Sequence, residues 1–337
     1  MQKSDLSSQT LRNYVKAAHR VLLVWLGRPI PLYDKNSMGK NPRLHEYIGQ
    51  QIRDRRNWER KRGQKLPLTR EIFQALASML AKFGTSLDIF LGDLYAVYDW
   101  IRLGAFAGFR VSEYAQGKVA KGKMYLRLPD SDDIPFDQRG KPVAFVAADF
   151  TFYTADLTLI PHDRLMSYRR RGLVRYLQLR WRFDKSANNF VLRRYEFTDD
   201  PIFNPVDAAV NIVYRARLLH VPVHEPLGVW KNPTGRVPYR FLRAATITKV
   251  MRLAVVQAYP DPKHYYRINI HLVVTHCVRV TAAVLMKLGG AGNDEIAHAE
   301  RWHPTSVPTY LRDGFESAHV TQNKTLLGLN VNKRNRR

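Results

Sequence analysis

The sequence lacks the features that mark several large classes of protein. Only one of its 337 residues is a cysteine, Cys277, which excludes disulfide bonds within the chain and any cysteine-rich zinc site. No run of about 18 apolar residues occurs, so we expect no transmembrane helix. The first apolar stretch, VLLVWLG, is short and follows a helical pattern, so we expect no secretory signal. Together these absences predict an intracellular protein.

Acidic residues are also scarce. The chain has 29 Asp and Glu against 54 Lys and Arg, which gives a formal net charge of +25 at pH 7. A surplus of this size predicts a polyanionic partner. Nucleic acid fits better than an anionic membrane surface, because no cationic helix with a broad apolar face is apparent.

The length and the hydrophobic fraction of 45% predict a sizeable core, divided over two domains. In the N-terminal region, residues 1–68, helical spacing of apolar residues predicts helices over 9–27 and 43–62. We interpret the many basic residues of this region as contacts for DNA phosphates, with a solvated charged face as the plain alternative.

A second helical region begins at the predicted domain boundary. Thr69 has the character of an N-cap, Glu71 follows in the first turn and Gly84 is expected to end that helix. The next stretch, LDIFLGDLYAVYDWIRLGAFAG, predicts one long apolar helix that ends at Gly108.

The middle of the chain has strand composition. Three segments, KPVAFVAADFTFYT, RYLQLRWRF and NNFVLRRYEF, are rich in aromatic and β-branched residues, and DKSANN between the last two predicts a hairpin turn. From Val206 onward the pattern is mostly helical again. The predicted fold class is therefore mainly α with a small antiparallel β-sheet (α+β).

Several polar residues are candidates for a functional site, although an arginine or a hairpin lysine taken alone is ordinarily a solvated surface residue. In GAFAGFRVSEYAQ, Arg110 opens a short predicted helix that carries Glu113, and Lys185 lies in the predicted hairpin turn. In THCVRVTAAVLMKLGG, His276 and Arg279 are three residues apart and share one face of a predicted helix. A histidine and an arginine at a helix N-terminus form a site for an anion.

We expect Thr275 to cap that helix and Gly289 to end it. Its apolar side is expected to pack inward, through Val278, Ala282, Leu285 and Met286. Farther along, Asn293 begins a short predicted helix in NDEIAHAERW. Pro304 ends this region, and Ser306 is expected to cap a last helix, with Pro308 in its first turn, that carries Tyr310.

Taken in order, GFRVSE, a hairpin lysine, HCVR and RWHPTSVPTY resemble the motifs of the tyrosine recombinases, or phage-integrase-type site-specific recombinases. The form HCVRVTAA…RW…Y is most similar to the recombinases of eukaryotic mobile elements of the Crypton kind. The resemblance covers residues 69 to 315. It implies a catalytic tyrosine-recombinase domain over 69–320, a short helical core-binding region over 1–68 that is reduced or truncated, and a basic tail over 321–337.

The resemblance also implies roles for individual residues. The catalytic set that it assigns is Arg110, Lys185, His276, Arg279, Trp302 and Tyr310. Glu113 would be a supporting residue. Many members have the motif LGH where this chain has ERWH, so His303 is the alternative to Trp302 at that position.

The chemistry of DNA strand exchange explains why these residue types are needed. Tyr310 would be the nucleophile, and a phenol with a pKa near ~10 needs help to lose its proton. His276 can take or share that proton, or it can hold the phosphate. Two guanidinium groups, Arg110 and Arg279, can bind the non-bridging phosphate oxygens as negative charge develops. Lys185 can donate a proton to the departing 5′ oxygen.

The remaining assigned residues would act by contact. Trp302 can donate only through its indole N–H, and Glu113 would orient a basic neighbour. The expected intermediate is a covalent 3′-phosphotyrosyl bond, which stores the energy of the broken linkage, so no ATP is expected. Two arginines replace the usual metal cation, so no metal or other cofactor is expected. His220 and His224 are four residues apart, but Pro222 interrupts them and no carboxylate-rich partner is apparent, so a metal site is not predicted.

The resemblance further implies double-stranded DNA as the partner, a homo-tetramer acting on two DNA sites, and a nuclear location if the host is eukaryotic. Three alternatives remain open. The chain would otherwise be a type IB topoisomerase-like DNA relaxer, a non-catalytic DNA-binding protein derived from a recombinase, or an RNA-binding structural protein. The last explains the charge but not the order of the motifs.

Overall fold

A computed structural model describes most of the chain after residue 64. The residues it describes are 14–15, 17–18, 65–84, 86–115, 144–181, 191–234, 237–302 and 307. By its internal contacts the chain divides into two units, Met1–Gly63 and Gln64–Arg337. In the first unit, the four described residues are helical, and the rest of the two predicted helices lies outside the described residues.

The second unit is mixed in secondary structure. Its α-helices are α1 (Arg70–Phe83), α2 (Leu87–Phe90), α3 (Asp93–Ala107), α4 (Val111–Tyr114), α5 (Leu165–Arg170), α6 (Pro205–Leu218), α7 (Ala244–Ala258), α8 (Tyr265–Ile268), α9 (Cys277–Leu288) and α10 (Asn293–Glu300). Its strands are β1 (Phe150–Tyr153), β2 (Leu159–Ile160), β3 (Tyr176–Arg180), β4 (Leu192–Glu196), β5 (Val229–Lys231) and β6 (Tyr239–Phe241).

Four strands form one antiparallel sheet in the order β2-β1-β3-β4. In β3 the side chains alternate between buried and partly exposed, with Leu177 and Leu179 in the core. This alternation is typical of a strand with one face on the core, and the strand itself was predicted from its residue composition. The predicted α+β class is confirmed, because most of the described elements are helices and these four strands form one small antiparallel sheet. Strands β5 and β6 form a separate two-stranded ribbon that the sequence pattern did not predict.

Helix α1 has the predicted limits, although its N-cap differs in detail. Thr69 precedes the helix in an extended conformation and Gly84 follows it. The Thr69 hydroxyl makes no capping bond and instead lies 2.6 Å from the hydroxyl of Tyr259. Just before it, Leu68 is buried and its N–H donates to Thr281 Oγ1 at 2.7 Å. This segment is therefore part of the core of the second unit.

The prediction of one long apolar helix up to Gly108 is wrong. The chain breaks at Leu91 and Gly92 into α2 and α3. Gly92 is extended, with φ −70° and ψ 166°, and the Leu91 carbonyl accepts a hydrogen bond from the Lys231 N–H at 2.7 Å. Because that carbonyl binds strand β5, it is not available to continue a helix.

Helix α3 lies at the centre of the core and is buried on most of its sides. Trp100 is fully buried among the rings of Phe109, Tyr114, Phe145 and Phe150. These contacts explain why the sequence of α3 is apolar almost throughout. In the described part of the chain, no helix has both the length and the apolar character that crossing a membrane requires.

Candidate functional site

Arg110 and Glu113 form a closed local unit at the start of α4. The Arg110 N–H donates to Glu113 Oε2 at 2.8 Å, and its Nη1 donates to Glu113 Oε1 at 3.3 Å. The sequence prediction that Arg110 opens a short helix carrying Glu113 is confirmed. Because the carboxylate holds both the backbone and the guanidinium of Arg110, the side chain has a defined direction.

Backbone contacts also hold the short helix α4 in place. The Glu113 carbonyl accepts a hydrogen bond from the Phe145 N–H at 2.8 Å. The Gly228 backbone lies against Tyr114 so closely that a Cβ on Gly228 would be 2.0 Å from the Tyr114 carbonyl oxygen. These contacts fix the position of Arg110 relative to the core.

Helix α9 carries His276 and Arg279 at its N-terminus, with two corrections to the prediction. The helix begins at Cys277, with His276 at the N-cap position, and no side chain caps it, so Thr275 is not the cap. The Cys277 thiol accepts from the Val274 N–H at 3.2 Å, so the local side-chain bond at this turn comes from the cysteine.

The buried side of α9 is smaller than the sequence indicated. Val278 and Ala282 are fully buried, and Met286 packs against a small apolar cluster around Ile296. Leu285, however, is exposed, so its assignment to the core is wrong. Gly289 ends the helix as predicted.

Helix α10 begins at Asn293 as predicted, and it ends in an unusual turn. Arg301 adopts the left-handed conformation, with φ 55° and ψ 47°. Residues other than glycine rarely adopt this backbone conformation. The turn exposes the carbonyls of Glu300 and Arg301 to neighbouring donors, and Trp302 follows directly.

The two predicted phosphate arginines converge on this turn. Arg279 Nη2 donates to the Glu300 carbonyl, and Arg110 Nη2 donates to the Arg301 carbonyl across 3.5 Å. The Arg279 guanidinium also lies over the Trp302 ring, 5.0 Å from its centroid. Residues from three separate regions of the sequence therefore meet at one place.

Arg279 is buried and has unused hydrogen-bonding capacity. Its Nε and Nη1 have no hydrogen-bond partner among the residues that the structure describes. Loss of hydration, and then the positive charge of Arg110, lower the pKa of Arg279 to about 10. The group is still a cation at neutral pH. A buried cation with two unused donors, next to a second guanidinium, is an arrangement that an anion would stabilise.

His276 is exposed at the surface beside this pair. Partial loss of hydration lowers the pKa of its imidazole below the usual range, and the charges of Arg279 and Lys65 lower it further. A lowered pKa favours the neutral imidazole at pH 7, which can accept a proton.

A buried carboxyl group lies behind the arginines. Glu300 is fully buried, and neither of its carboxyl oxygens has a hydrogen-bond partner within the described residues. The carboxyl group occupies the space left by the missing side chain of Gly108, where a Cβ would lie 1.6 Å from Glu300 Oε2. Gly108 itself has φ +57°, which a residue without Cβ adopts readily.

Burial raises the pKa of Glu300 to about 7, against the opposing charges of Arg279, Arg301 and Arg193 and with a smaller contribution from Glu113. In the folded state Glu300 therefore binds its proton more tightly than its ordinary pKa of 4.5 allows in the unfolded chain. The proton stabilises the fold fully below pH 4.5. That stabilisation is lost as the pH rises to about 7.

We therefore expect the free energy of unfolding to fall by on the order of 3 kcal/mol between these two pH values because of Glu300. The Glu300→Gln variant keeps a neutral side chain of the same shape and should lose this slope. Urea unfolding at pH 5 and pH 7.5 measures it. Glu196→Gln, which changes an exposed carboxylate in β4, should keep the slope. An unchanged slope in Glu300→Gln would contradict the assignment.

Three of the predicted residues, Lys185, His303 and Tyr310, lie outside the described residues. Their roles remain predictions. The strands on either side of the predicted hairpin, β3 and β4, do pair in antiparallel register. Arg193 in β4 donates through Nη2 to the carbonyl of His298 in α10. The strand that follows the predicted lysine turn is thereby connected to the helix that precedes Trp302.

Two residues of this cluster, Glu300 and Arg301, were missed from the sequence. One signal was available, because Glu300 is four residues after Ile296 and so lies on the same, buried face of α10. Nothing in the local pattern indicated the left-handed turn at Arg301. Among the described residues, no group of three or more His, Cys, Asp and Glu side chains is placed to hold a metal ion.

No model of a known protein family matches the chain, and neither does any curated protein.

Proposed function

We propose that this protein is a tyrosine-recombinase-type enzyme that breaks and rejoins double-stranded DNA for site-specific recombination. The single observation that carries the proposal is the convergence of Arg110 and Arg279 on the turn before Trp302. Arg279 is a buried cation with two hydrogen-bond donors that are unused among the described residues, and a second guanidinium reaches the same turn, so the arrangement is suited to binding an anion. A DNA phosphodiester supplies that anion, and the net charge of +25 supports a polyanionic partner.

In the proposed reaction, the Tyr310 hydroxyl oxygen attacks the scissile phosphorus. His276 takes the phenol proton, and its lowered pKa makes the neutral, accepting form available. The phosphorus–5′ oxygen bond breaks, Lys185 gives a proton to the leaving oxygen, and a 3′-phosphotyrosyl bond remains. Attack by a 5′ hydroxyl of another strand reverses these steps and reseals the DNA.

The described residues have distinct parts in this scheme. Arg279 offers its unused Nε and Nη1 to the non-bridging oxygens, and Arg110 approaches from α4. Glu113 orients Arg110, and Trp302 supports Arg279 by stacking on it. His303 is the alternative to Trp302 for contact with the phosphate. The chemistry requires no ATP, metal or cofactor. We further propose a homo-tetramer on two DNA sites, in the nucleus if the host is eukaryotic.

The test is capture of the intermediate on nicked suicide DNA, in which the short fragment that carries the freed 5′ hydroxyl diffuses away after cleavage. A denaturation-resistant adduct attached through Tyr310, mapped by mass spectrometry, is the expected result. Exchange of labelled DNA partners would then mark recombination, whereas a change of supercoiling without exchange would mark a relaxing enzyme. DNA binding without any adduct over a wide range of target sequences would overturn the enzymatic proposal.

Lys185→Ala is expected to slow cleavage of an ordinary 5′-oxygen substrate by about 10²-fold or more, because the departing alkoxide then lacks a proton donor. A 5′-thio substrate has a leaving group that needs no proton, so its cleavage should be nearly unchanged. Single-turnover adduct formation on the two substrates measures the difference. Equal losses on both substrates would rule out the role of Lys185 as general acid.

A further inference from the structure

The left-handed turn at Arg301 makes contact with both phosphate arginines through consecutive carbonyls. The Glu300 carbonyl accepts from Arg279 Nη2, and the Arg301 carbonyl accepts from Arg110 Nη2 across 3.5 Å. In a helix these carbonyls would point along the helix axis in nearly the same direction. The turn therefore presents them to two different helices, α9 and α4.

The side chain of Arg301 connects to the same arginine by a second route. Arg301 Nη2 donates to both carboxylate oxygens of Glu113, at 3.0 and 3.2 Å. Glu113 in turn holds the Nη1 of Arg110 at 3.3 Å. Arg301 thus restrains Arg110 in two ways. The Arg301 carbonyl binds Arg110 directly, and the Arg301 guanidinium binds Glu113, which in turn binds Arg110.

The environment of Arg301 fixes this arrangement. Its side chain is only 2% exposed, and its guanidinium lies over the Trp181 ring, 4.3 Å from the centroid. Nη1 contacts the carbonyl of Ala107 at the end of α3, at 3.5 Å. A buried, paired arginine in a disfavoured backbone conformation persists only if the surrounding contacts hold it there.

We propose that Arg301 is a positioning residue that fixes the orientation of the two arginines proposed to bind phosphate. The guanidinium and the carbonyl of Arg301 hold Arg110, and the left-handed turn at Arg301 holds Arg279. The catalytic part of this inference rests on the proposed function. The positioning itself is a property of the folded protein and is measurable without DNA.

Two substitutions distinguish the effect of the Arg301 side chain from the effect of the left-handed turn. Arg301→Gly keeps the left-handed turn, because glycine adopts it readily, and removes the guanidinium. Arg301→Val disfavours the turn as well, because a β-branched residue is strained there. We expect the glycine variant to loosen Arg110 and to leave Arg279 ordered. The valine variant should loosen both.

The measurement is the order of the arginine Nε–Hε groups by ¹⁵N NMR relaxation of the full chain, assigned through Arg110→Lys and Arg279→Lys. For Arg110 we expect the order parameter to fall below about 0.6 in Arg301→Gly. Arg215→Met is the matched control, since Arg215 is equally buried and pairs with Asp99 outside this cluster. The control should change neither signal.

The rate of adduct formation is a second measurement of the same role. In single-turnover adduct formation, Arg301→Gly should lower the rate by about 10²-fold, the size of effect that loss of one pre-organised donor produces. In an Arg110→Lys background the same change should cost much less, because the two residues act as one unit.

Each outcome decides a separate point. Unchanged order of Arg110 in Arg301→Gly, or equal loosening in the Arg215→Met control, overturns the positioning role. If the wild-type protein forms no adduct, the proposed function fails, and the NMR measurement alone tests whether Arg301 positions Arg110. If Arg301→Val does not fold, the order parameters of Arg110 and Arg279 in Arg301→Gly still test the positioning role, because only that of Arg110 should fall.

Discussion

Replacement of Tyr310 by phenylalanine is expected to abolish the covalent protein–DNA adduct while DNA binding stays within about twofold of wild type. The change removes a single oxygen, which is the atom proposed to attack phosphorus. The groups proposed to bind phosphate, including Arg110 and Arg279, are untouched. Adduct yield on nicked suicide DNA and affinity from fluorescence anisotropy on the same DNA measure the two quantities.

Tyr265→Phe is a matched control for this experiment, because Tyr265 in α8 is exposed and lies outside the candidate site. Its adduct yield should equal that of wild type. Adducts that persist in Tyr310→Phe would assign the nucleophile to another residue. A parallel loss of binding would mean that the phenol contributes to the DNA contact and not only to the chemistry.

Gly228→Ala is expected to lower the free energy of unfolding by about 3 kcal/mol, at the upper end for overpacking in a core. The added Cβ would lie 2.0 Å from the Tyr114 carbonyl oxygen and 3.1 Å from its carbonyl carbon. Both are backbone atoms, so no side chain can rotate away. On the other side, the Gly228 carbonyl is held by the Leu242 N–H at 2.6 Å. The strain must therefore move α4, which carries Arg110.

Urea unfolding measures this loss, and Gly289→Ala is its control. Gly289 has an ordinary φ of −74°, and a Cβ there would make only normal contacts, the nearest at 3.4 Å. Alanine at that position should change stability by less than about 1 kcal/mol, in the stabilising direction. Similar stability of wild type and Gly228→Ala, together with an unchanged adduct yield, would refute the close approach. Retained stability with a weakened adduct would indicate that α4 moves as a unit.

Local patterns in the sequence predicted the elements that carry their own signals. The limits of α1 follow from Thr69 and Gly84, and the residue composition of RYLQLRWRF predicted β3. The start of α4 at Arg110 follows from a glycine-bounded turn with an acidic residue in its first turn. In each case the determining interactions lie within a few residues of each other.

The errors have a common physical cause, which is contact with distant parts of the chain. The break at Leu91 depends on a hydrogen bond from Lys231 in a strand that had no strong local pattern. Leu285 has the spacing of a buried residue, but the small cluster beside it ends short of that position. Such effects cannot be deduced from helical periodicity alone.

The candidate site shows the same division. Residue types at Arg110, Glu113, His276 and Arg279 were identified from motifs, and the described structure brings them close together. The part of Arg301 was not predictable, because it requires a left-handed turn and a buried pair with Glu113. These features depend on tertiary packing, which the sequence pattern encodes only indirectly.

The single cysteine has a practical consequence for experiments on this protein. Cys277 is fully buried at the start of α9, and burial raises the pKa of its thiol to about 11. The thiolate is the form of cysteine that attacks a maleimide, so these reagents should leave this side chain unmodified at neutral pH. A cysteine introduced at an exposed position, such as Leu253 or Val256 in α7, would then accept a fluorophore or spin label alone, without replacement of the native residue.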